Sequence, residues 1–139
     1  ARGGSSWADV VVDDEEVDYP RCTKLDIAII FSQEAATTFS GAVRDQGLLL
    51  YDPVTVETLS PRETTRVFAI PATSTAREVL NSAVVANTVM FGAFVALSDL
   101  FSLESAEKGV ESTVPQGVLG LNLQALQKGV EIAQRMKGG

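Results

Sequence analysis

Histidine is absent from this 139-residue sequence, and cysteine occurs only once, as Cys22. Without an imidazole the chain cannot form a Ser-His-Asp triad or use the most common general base. A lone thiol forms no intrachain disulfide. One cysteine and no histidine are also too few ligands for a structural zinc site in practice. A cubane iron–sulfur cluster needs about four thiolates, so this chain cannot hold one alone. A single thiol fits a reducing compartment, and we expect a cytoplasmic protein.

Basic residues and long apolar runs are also scarce. Eleven Lys and Arg residues face eighteen Asp and Glu residues, which gives a formal net charge of −7. This charge argues against nucleic acid and against an anionic membrane surface as partners, because both need clustered Lys and Arg. The longest apolar run, residues 84–97, is shorter than the roughly 20 residues of a membrane-spanning helix, so we expect no membrane segment.

Standard ligand fingerprints are missing as well. Neither G-x-x-x-x-G-K-[ST] nor G-x-G-x-x-G occurs in the sequence. The acidic segment 13–18, DDEEVD, could bind a divalent cation through its carboxylates, but it lacks the glycine and the final glutamate of an EF-hand loop. A solvated turn is the preferred interpretation. We therefore predict no catalytic residue and no metal site in this chain.

The spacing of the apolar residues predicts an α/β fold with a helical C-terminal half. Continuous apolar runs between polar flanks are typical of strands buried on both faces, as in a parallel sheet. The first helix is expected to begin after Ser32, which can cap it, and to end at about Gln46 before Gly47. Small residues such as Gly92 should let another backbone approach the apolar helix. The predicted strands are residues 7–12, 24–31, 48–52 and 66–72, and the predicted helices are 33–46, 74–81, 84–97, 103–112 and a last one from 119.

Two short segments are candidates for contact with a ligand. Gly3 and Gly4 would let the backbone approach a ligand closely, and Arg2 suits a phosphate or a carboxylate. The alternative for this segment is a frayed terminus. Ser32 and Gln33 follow a buried strand of the predicted parallel sheet, where α/β proteins tend to bind ligands. The alternative for this pair, which we favour on the pattern alone, is a helix cap with no further role.

Several strings, taken in order, resemble the gamma subunit of 2-oxoacid:ferredoxin (acceptor) oxidoreductases. The resemblance covers residues 2–134, and its order and spacing are more specific than any single string. In the strings ARGG and DVVVDDEEVDYP, this sequence is most similar to subunits of the 2-oxoglutarate type. The strings are ARGG, DVVVDDEEVDYP, LDIAIIFSQEA, GLLLYD, VVANTVMFGAFVAL, FSLESAEKGV and GLNLQALQKGVE.

The resemblance implies one domain over residues 1–139 with a Rossmann-like, mostly parallel sheet and flanking helices. Family members begin with a strand, a glycine-rich turn and a helix, and we expect that this first strand-turn-helix is absent here. In such complexes thiamine diphosphate, Mg, iron–sulfur clusters and coenzyme A are used on partner subunits, and none is expected on this chain alone. The implied partners are alpha and beta subunits, with a ferredoxin-like subunit as a further candidate, and ferredoxin as the electron acceptor of the complex.

The function implied by the resemblance is a supporting one. The complex would oxidatively decarboxylate a 2-oxoacid, with 2-oxoglutarate the first candidate, to an acyl-CoA. This chain would support assembly and enclose the active centre and the coenzyme A region, with Arg2, Gly3 and Gly4 facing that interface, and would have no activity alone. Two alternatives stay open, which are a purely structural assembly subunit and an independent nucleotide-binding α/β module.

Overall fold

A computed structural model describes residues 11–12, 25–100 and 102–138 of the chain. By its internal contacts the chain divides into two compact units, Ala1–Ala69 and Ile70–Gly139. The first unit is built on a sheet, and the second is built from helices. The interpretation of residues 1–139 as one gamma-type domain stays a prediction.

The first unit holds a four-stranded sheet with the strands in sequence order. The first strand pairs with the second in antiparallel fashion, and the other neighbours are parallel. Ile30 lies opposite Tyr51, and Tyr51 lies opposite Ala69, so three parallel strands end at the same edge. This confirms the predicted mostly parallel sheet. The strands are β1 (Val11–Val12), β2 (Leu25–Ile30), β3 (Val43–Tyr51) and β4 (Arg66–Ala69).

Helix α1 is shorter than the sequence predicts. It spans Gln33–Phe39, a 3₁₀ turn covers Ser40–Ala42, and β3 begins at Val43. The prediction of a helix to about Gln46 is therefore wrong. Gln46 has a φ of 67°, a left-handed conformation that no helix interior adopts.

The segment mistaken for helix is a bulge in β3. Leu25 pairs with Val43 and Ile27 pairs with Leu48, so five steps along β3 match only two along β2. Gly47 does not stop a helix but sits in this bulge, where a Cβ atom would lie 2.7 Å from Val43 Cγ1. The wrong prediction thus has a local cause, because the residues of the bulge are polar and helix-compatible while their pairing partners are distant in sequence.

One face of the sheet is covered by α1. Ala35 and Ala36 of the helix are fully buried and pack in one apolar cluster with residues of β2 and β3. Val56 joins this cluster from the β3–β4 connection, residues 52–65, which contains no helix or strand along its described length. The small helix residues allow close packing of α1 on the sheet, which fixes where the helix begins relative to the strand ends.

The second unit is helical, as predicted for the C-terminal half. The predicted strand 66–72 ends early, at Ala69, because Pro71 has no N–H to donate to a sheet and Ala72 already begins a helix. That helix ends at Glu78 instead of near residue 81, before Asn81 with its φ of 54°. The helices are α2 (Ala72–Glu78), α3 (Ala86–Ser98), α4 (Leu103–Thr113) and α5 (Leu119–Gly138), with 3₁₀ turns at Ala83–Val85 and Gln116–Val118.

Helices α3 and α5 pack at very short range. A Cβ atom added to Gly92 would collide with the carbonyl oxygen of Leu126, and one added to Gly129 would collide with that of Val89. The prediction that Gly92 lets another backbone approach closely is confirmed. Among the residues that the structure describes, no helix combines the length and the apolarity that crossing a bilayer requires.

Candidate functional site

The candidate site is the edge at which β2, β3 and β4 end, called here the carboxyl edge. Ser32 and Gln33 follow β2 at this edge, and Asp52 follows β3. Parallel strands in register bring these positions to the same side of the sheet. Open α/β sheets tend to bind ligands in the crevice outside the carboxyl ends of their strands.

Ser32 acts as the N-cap of α1. Its backbone is extended, with φ −137° and ψ 152°, and its Oγ accepts a hydrogen bond from the N–H of Ala35 at 3.0 Å. Its carbonyl oxygen accepts from the N–H of Ala36 at 3.0 Å. The predicted capping role is confirmed, and contact of Ser32 with a ligand stays a prediction.

Gln33 joins the start of α1 to the β3–β4 connection. Its Oε1 accepts hydrogen bonds from the N–H groups of Glu57 at 2.7 Å and Thr58 at 2.9 Å. Its Nε2 donates to the Thr58 carbonyl oxygen at 3.0 Å and lies 3.1 Å from Thr58 Oγ1. The side-chain amide therefore pairs with both backbone polar groups of Thr58, as a peptide group of a neighbouring strand would.

Asp52 organises the beginning of the same connection. The residue is fully buried, and its Oδ1 accepts a hydrogen bond from the N–H of Val54 at 2.9 Å. Its carbonyl oxygen accepts from the N–H groups of Thr55 at 3.2 Å and Val56 at 3.0 Å. Sequence reasoning did not single out this residue. The available signal was Asp-Pro directly after a buried strand, a dipeptide that favours the start of a turn.

The remaining predicted site residues cannot be placed against this edge. Arg2, Gly3 and Gly4 lie outside the described residues, as does Cys22. Of the predicted set, the structure brings together Ser32 and Gln33, which are adjacent in sequence. In the described ranges no group of three or more Asp, Glu or Cys side chains is placed to hold a metal ion.

A second concave surface lies in the helical unit, between α3 and α4. Phe91 and Val110 supply apolar walls, Thr113 supplies a hydroxyl, and Gly109 leaves the groove open because it has no side chain. The groove encloses about 390 Å³, and none of its described lining side chains is ionisable. Such a surface can receive apolar groups but offers no acid or base for catalysis.

Known proteins resemble the chain over nearly its full length. The family model for pyruvate ferredoxin/flavodoxin oxidoreductase matches residues 1–132. The 2-oxoglutarate synthase subunit KorC of Methanocaldococcus jannaschii is 37% identical over 137 residues, which are 98% of this chain and 73% of the relative. The ketoisovalerate oxidoreductase subunit VorA of Methanothermobacter marburgensis is 31% identical, and the match covers 96% of this chain but only 28% of the longer relative.

A solved structure shows the same fold. The gamma subunit of the keto/oxoacid ferredoxin oxidoreductase from Geobacter sulfurreducens PCA is 36% identical and superimposes with a TM-score of 0.75. The match covers 80% of this chain and 65% of that subunit. These findings confirm the resemblance read from the ordered strings. With a family model that spans 132 residues, the chain belongs to the pyruvate ferredoxin/flavodoxin oxidoreductase family.

Proposed function

We propose that this chain is the gamma-type subunit of a cytoplasmic 2-oxoacid:ferredoxin oxidoreductase, with 2-oxoglutarate as the oxoacid. The observation that carries the proposal is the 37% identity to KorC over 98% of the chain, against 31% to VorA. In the proposed reaction the bond between C1 and C2 of the oxoacid breaks and carbon dioxide leaves. The remaining acyl group forms a thioester with the sulfur of coenzyme A, whose S–H bond breaks and releases a proton. The two electrons that this oxidation yields pass one at a time to ferredoxin.

The chemical groups of this reaction belong on partner subunits. A cubane cluster needs about four thiolates, and this chain has one. A thiamine diphosphate site needs a divalent metal, and no acidic cluster of the described residues is arranged to hold one. The single cysteine therefore does not fit a cluster, and the described residues do not fit a thiamine diphosphate site. We assign thiamine diphosphate, Mg and the clusters to the alpha and beta subunits and to any ferredoxin-like subunit.

The proposed role of this chain is to bind and enclose. Its carboxyl edge, with Ser32 and Gln33, would face the catalytic subunits beside the coenzyme A region. Arg2, Gly3 and Gly4 would form a loop on the same interface and position a phosphate or carboxylate without taking part in a chemical step. The support for the edge is its register and its converging loops, together with the family membership.

A purely structural assembly role is the second candidate, and one observation favours it. Ser32 caps α1, and the Gln33 amide is engaged with Glu57 and Thr58, so both side chains serve the fold itself. The two roles differ in the segment 2–6. Only the enclosing role predicts that coenzyme A or oxoacid slows hydrogen exchange there in the assembled complex.

The proposal is tested by anoxic co-purification of the full-length protein from its native host. Larger subunits with thiamine and iron–sulfur cofactors should accompany it, and the eluate should reduce a dye only when 2-oxoglutarate and coenzyme A are both present. Activity with another oxoacid alone would contradict the substrate but not the family role. A chain that elutes alone and inert, under conditions that preserve other oxygen-sensitive complexes, would contradict the subunit role.

A further inference from the structure

We propose that Gln33 is a positioning residue, which acts on coenzyme A binding through the segment 52–58 and not by direct contact. The inference rests on the proposed function, because it concerns the edge that this function places beside the coenzyme A region. Its own support is the set of hydrogen bonds that hold segment 52–58 at the carboxyl edge.

The first observation is that the Gln33 amide is engaged within the chain. A glutamine amide offers an oxygen with two lone pairs and a nitrogen with two donor hydrogens. Here the oxygen accepts from two backbone N–H groups, those of Glu57 and Thr58. The nitrogen lies within 3.3 Å of three acceptors, two on Thr58 and one on Thr37. A ligand that bonded to this amide would have to displace contacts already made.

The second observation is that segment 52–58 is fixed at three points and exposed between them. Asp52 is buried and holds the N–H of Val54, and Val56 is buried in the core cluster. Gln33 holds the far end at residues 57 and 58. Between these anchors Val54 stands 49% exposed. The segment therefore presents a short surface whose position is set by these three anchors.

The third observation is that, among the described hydrogen bonds that join residues 33–41 to the β3–β4 connection, those of Gln33 are nearest to the carboxyl edge. The later part of the connection is held by Ser40, whose Oγ accepts from the N–H of Ser60 at 3.1 Å, and by Arg62, whose Nε donates to the Gly41 carbonyl oxygen at 3.1 Å. Ser40 and Gly41 precede β3 and so lie toward the opposite end of the sheet. Loss of the Gln33 tie should loosen segment 52–58 and leave the rest of the connection in place.

The test compares variants in the complete complex, reconstituted with the full-length chain. Gln33→Met keeps the length of the side chain but removes its hydrogen bonds. We expect fast hydrogen exchange at the Glu57 and Thr58 amides and a KM for coenzyme A raised roughly tenfold with little change in kcat, because the edge is misplaced but does no chemistry. Gln33→Glu keeps an oxygen for both N–H groups but places its other oxygen against the Thr58 carbonyl oxygen, so its exchange should lie between that of the wild type and that of Gln33→Met.

Thr37→Val is the matched control. Thr37 lies one turn further along α1 and its described hydrogen bond is to the same Nε2 at 3.3 Å, not to the backbone of the connection. This variant should leave both the exchange and the KM unchanged.

Unaltered exchange in Gln33→Met would show that Gln33 does not hold residues 57 and 58. Altered exchange with an unchanged KM for coenzyme A would refute the role of Gln33 in the reaction. A wild-type complex that oxidises no 2-oxoacid would refute the proposed function, and this inference would fall with it. An active wild-type complex in which the variants behave as the wild type does would refute this inference alone.

Discussion

Hydrogen bonds from single side chains to the backbone order the carboxyl edge, whereas the ion pairs of the helical unit lie on the surface. Ser32, Gln33 and Asp52 each hold one or two backbone N–H groups of this edge. The pair of Lys108 with Glu104, in contrast, spans 3.8 Å between side chains that are 72% and 78% exposed. Exposed pairs of this kind contribute about 0–1 kcal/mol. Substitutions at the edge should therefore have clearer effects than substitutions of surface charges.

Replacing Ser32 with Ala tests the cap directly. The variant leaves the N–H of Ala35 without its acceptor, and we expect a loss of about 1 kcal/mol in the free energy of unfolding, measured by urea denaturation of the full-length protein. Ser112→Ala is the control, since Ser112 bonds only to the Gly109 carbonyl inside α4 and caps nothing. Equal losses in the two variants would contradict the capping account.

Replacing Arg2 with Ala tests the proposed enclosing loop. If the guanidinium positions a phosphate or carboxylate, its loss removes charge-assisted hydrogen bonds of about 1.5–3 kcal/mol and should raise the KM for coenzyme A or for the oxoacid roughly tenfold or more. Arg2→Lys keeps the charge but not the forked geometry, so its KM should lie between that of the wild type and that of Arg2→Ala. Steady-state kinetics of the assembled complex that do not differ from wild type would rule out a ligand role for Arg2.

At the scale of elements, contact between α3 and α5 depends on the absence of side chains. Gly129 lies against the Val89 carbonyl oxygen, and Gly92 lies against that of Leu126. Two described polar contacts join these helices. Thr88 donates to Asn122 Oδ1 at 2.7 Å, where Asn122 is only 8% exposed, and Lys137 Nζ donates to the Ala96 carbonyl oxygen at 3.1 Å. Close packing around the partly buried pair of Thr88 and Asn122 makes this register specific.

Gly129→Ala should disrupt that contact, because the new Cβ would meet backbone atoms that cannot move aside. We expect a destabilisation of roughly 2–4 kcal/mol by urea denaturation. Gly109→Ala is the matched control, since nothing lies within 4 Å of the added Cβ. There the better helix propensity of alanine should stabilise the protein by up to about 1 kcal/mol. Similar effects at both glycines would show that helix propensity, and not close packing, determines the result.

The elements that the sequence predicts correctly are those with strong local signals. The apolar run of β2, the cap Ser32 and the helical second half all carry their evidence within a few residues. The start of β3 does not. The backbone N–H of Gln46 donates to the Thr64 carbonyl oxygen. Thr65 Oγ1 contacts the carbonyl oxygens of Val43 and Arg44, about twenty residues away in the sequence. Local propensity cannot reveal a bulge that such distant partners define.

The sequence likewise predicts one part of the candidate site and not the other. The rule that ligands meet the ends of parallel strands is sufficient to single out Ser32 and Gln33 from the pattern. The pairing of Gln33 with Thr58 spans 25 residues and leaves no periodic trace in the sequence. What the sequence could not provide is therefore the partner of each residue, although it provides the position of the edge.

At the scale of the whole molecule, the composition supports the proposal that the redox chemistry lies on other subunits. No histidine and a single cysteine occur among 139 residues, although the proposed reaction moves electrons through iron–sulfur clusters. The family membership resolves this contrast, since the relatives are named as subunits of larger oxidoreductases. A subunit of this composition can shape a site without supplying its cofactors.

The single thiol gives a sharp test of this division. If Cys22 is not a cluster ligand, complexes that contain Cys22→Ser should keep the iron content, the acid-labile sulfide and the electron paramagnetic resonance spectrum of the wild type. The reason is that a cubane takes about four thiolates, and a chain with one can at most complete a cluster held mainly by a neighbour. Loss of one cluster in the variant would show such a shared site and would contradict the assignment of all cluster ligands to the partners. Retained clusters with lower activity would instead point to Cys22 as part of the interface.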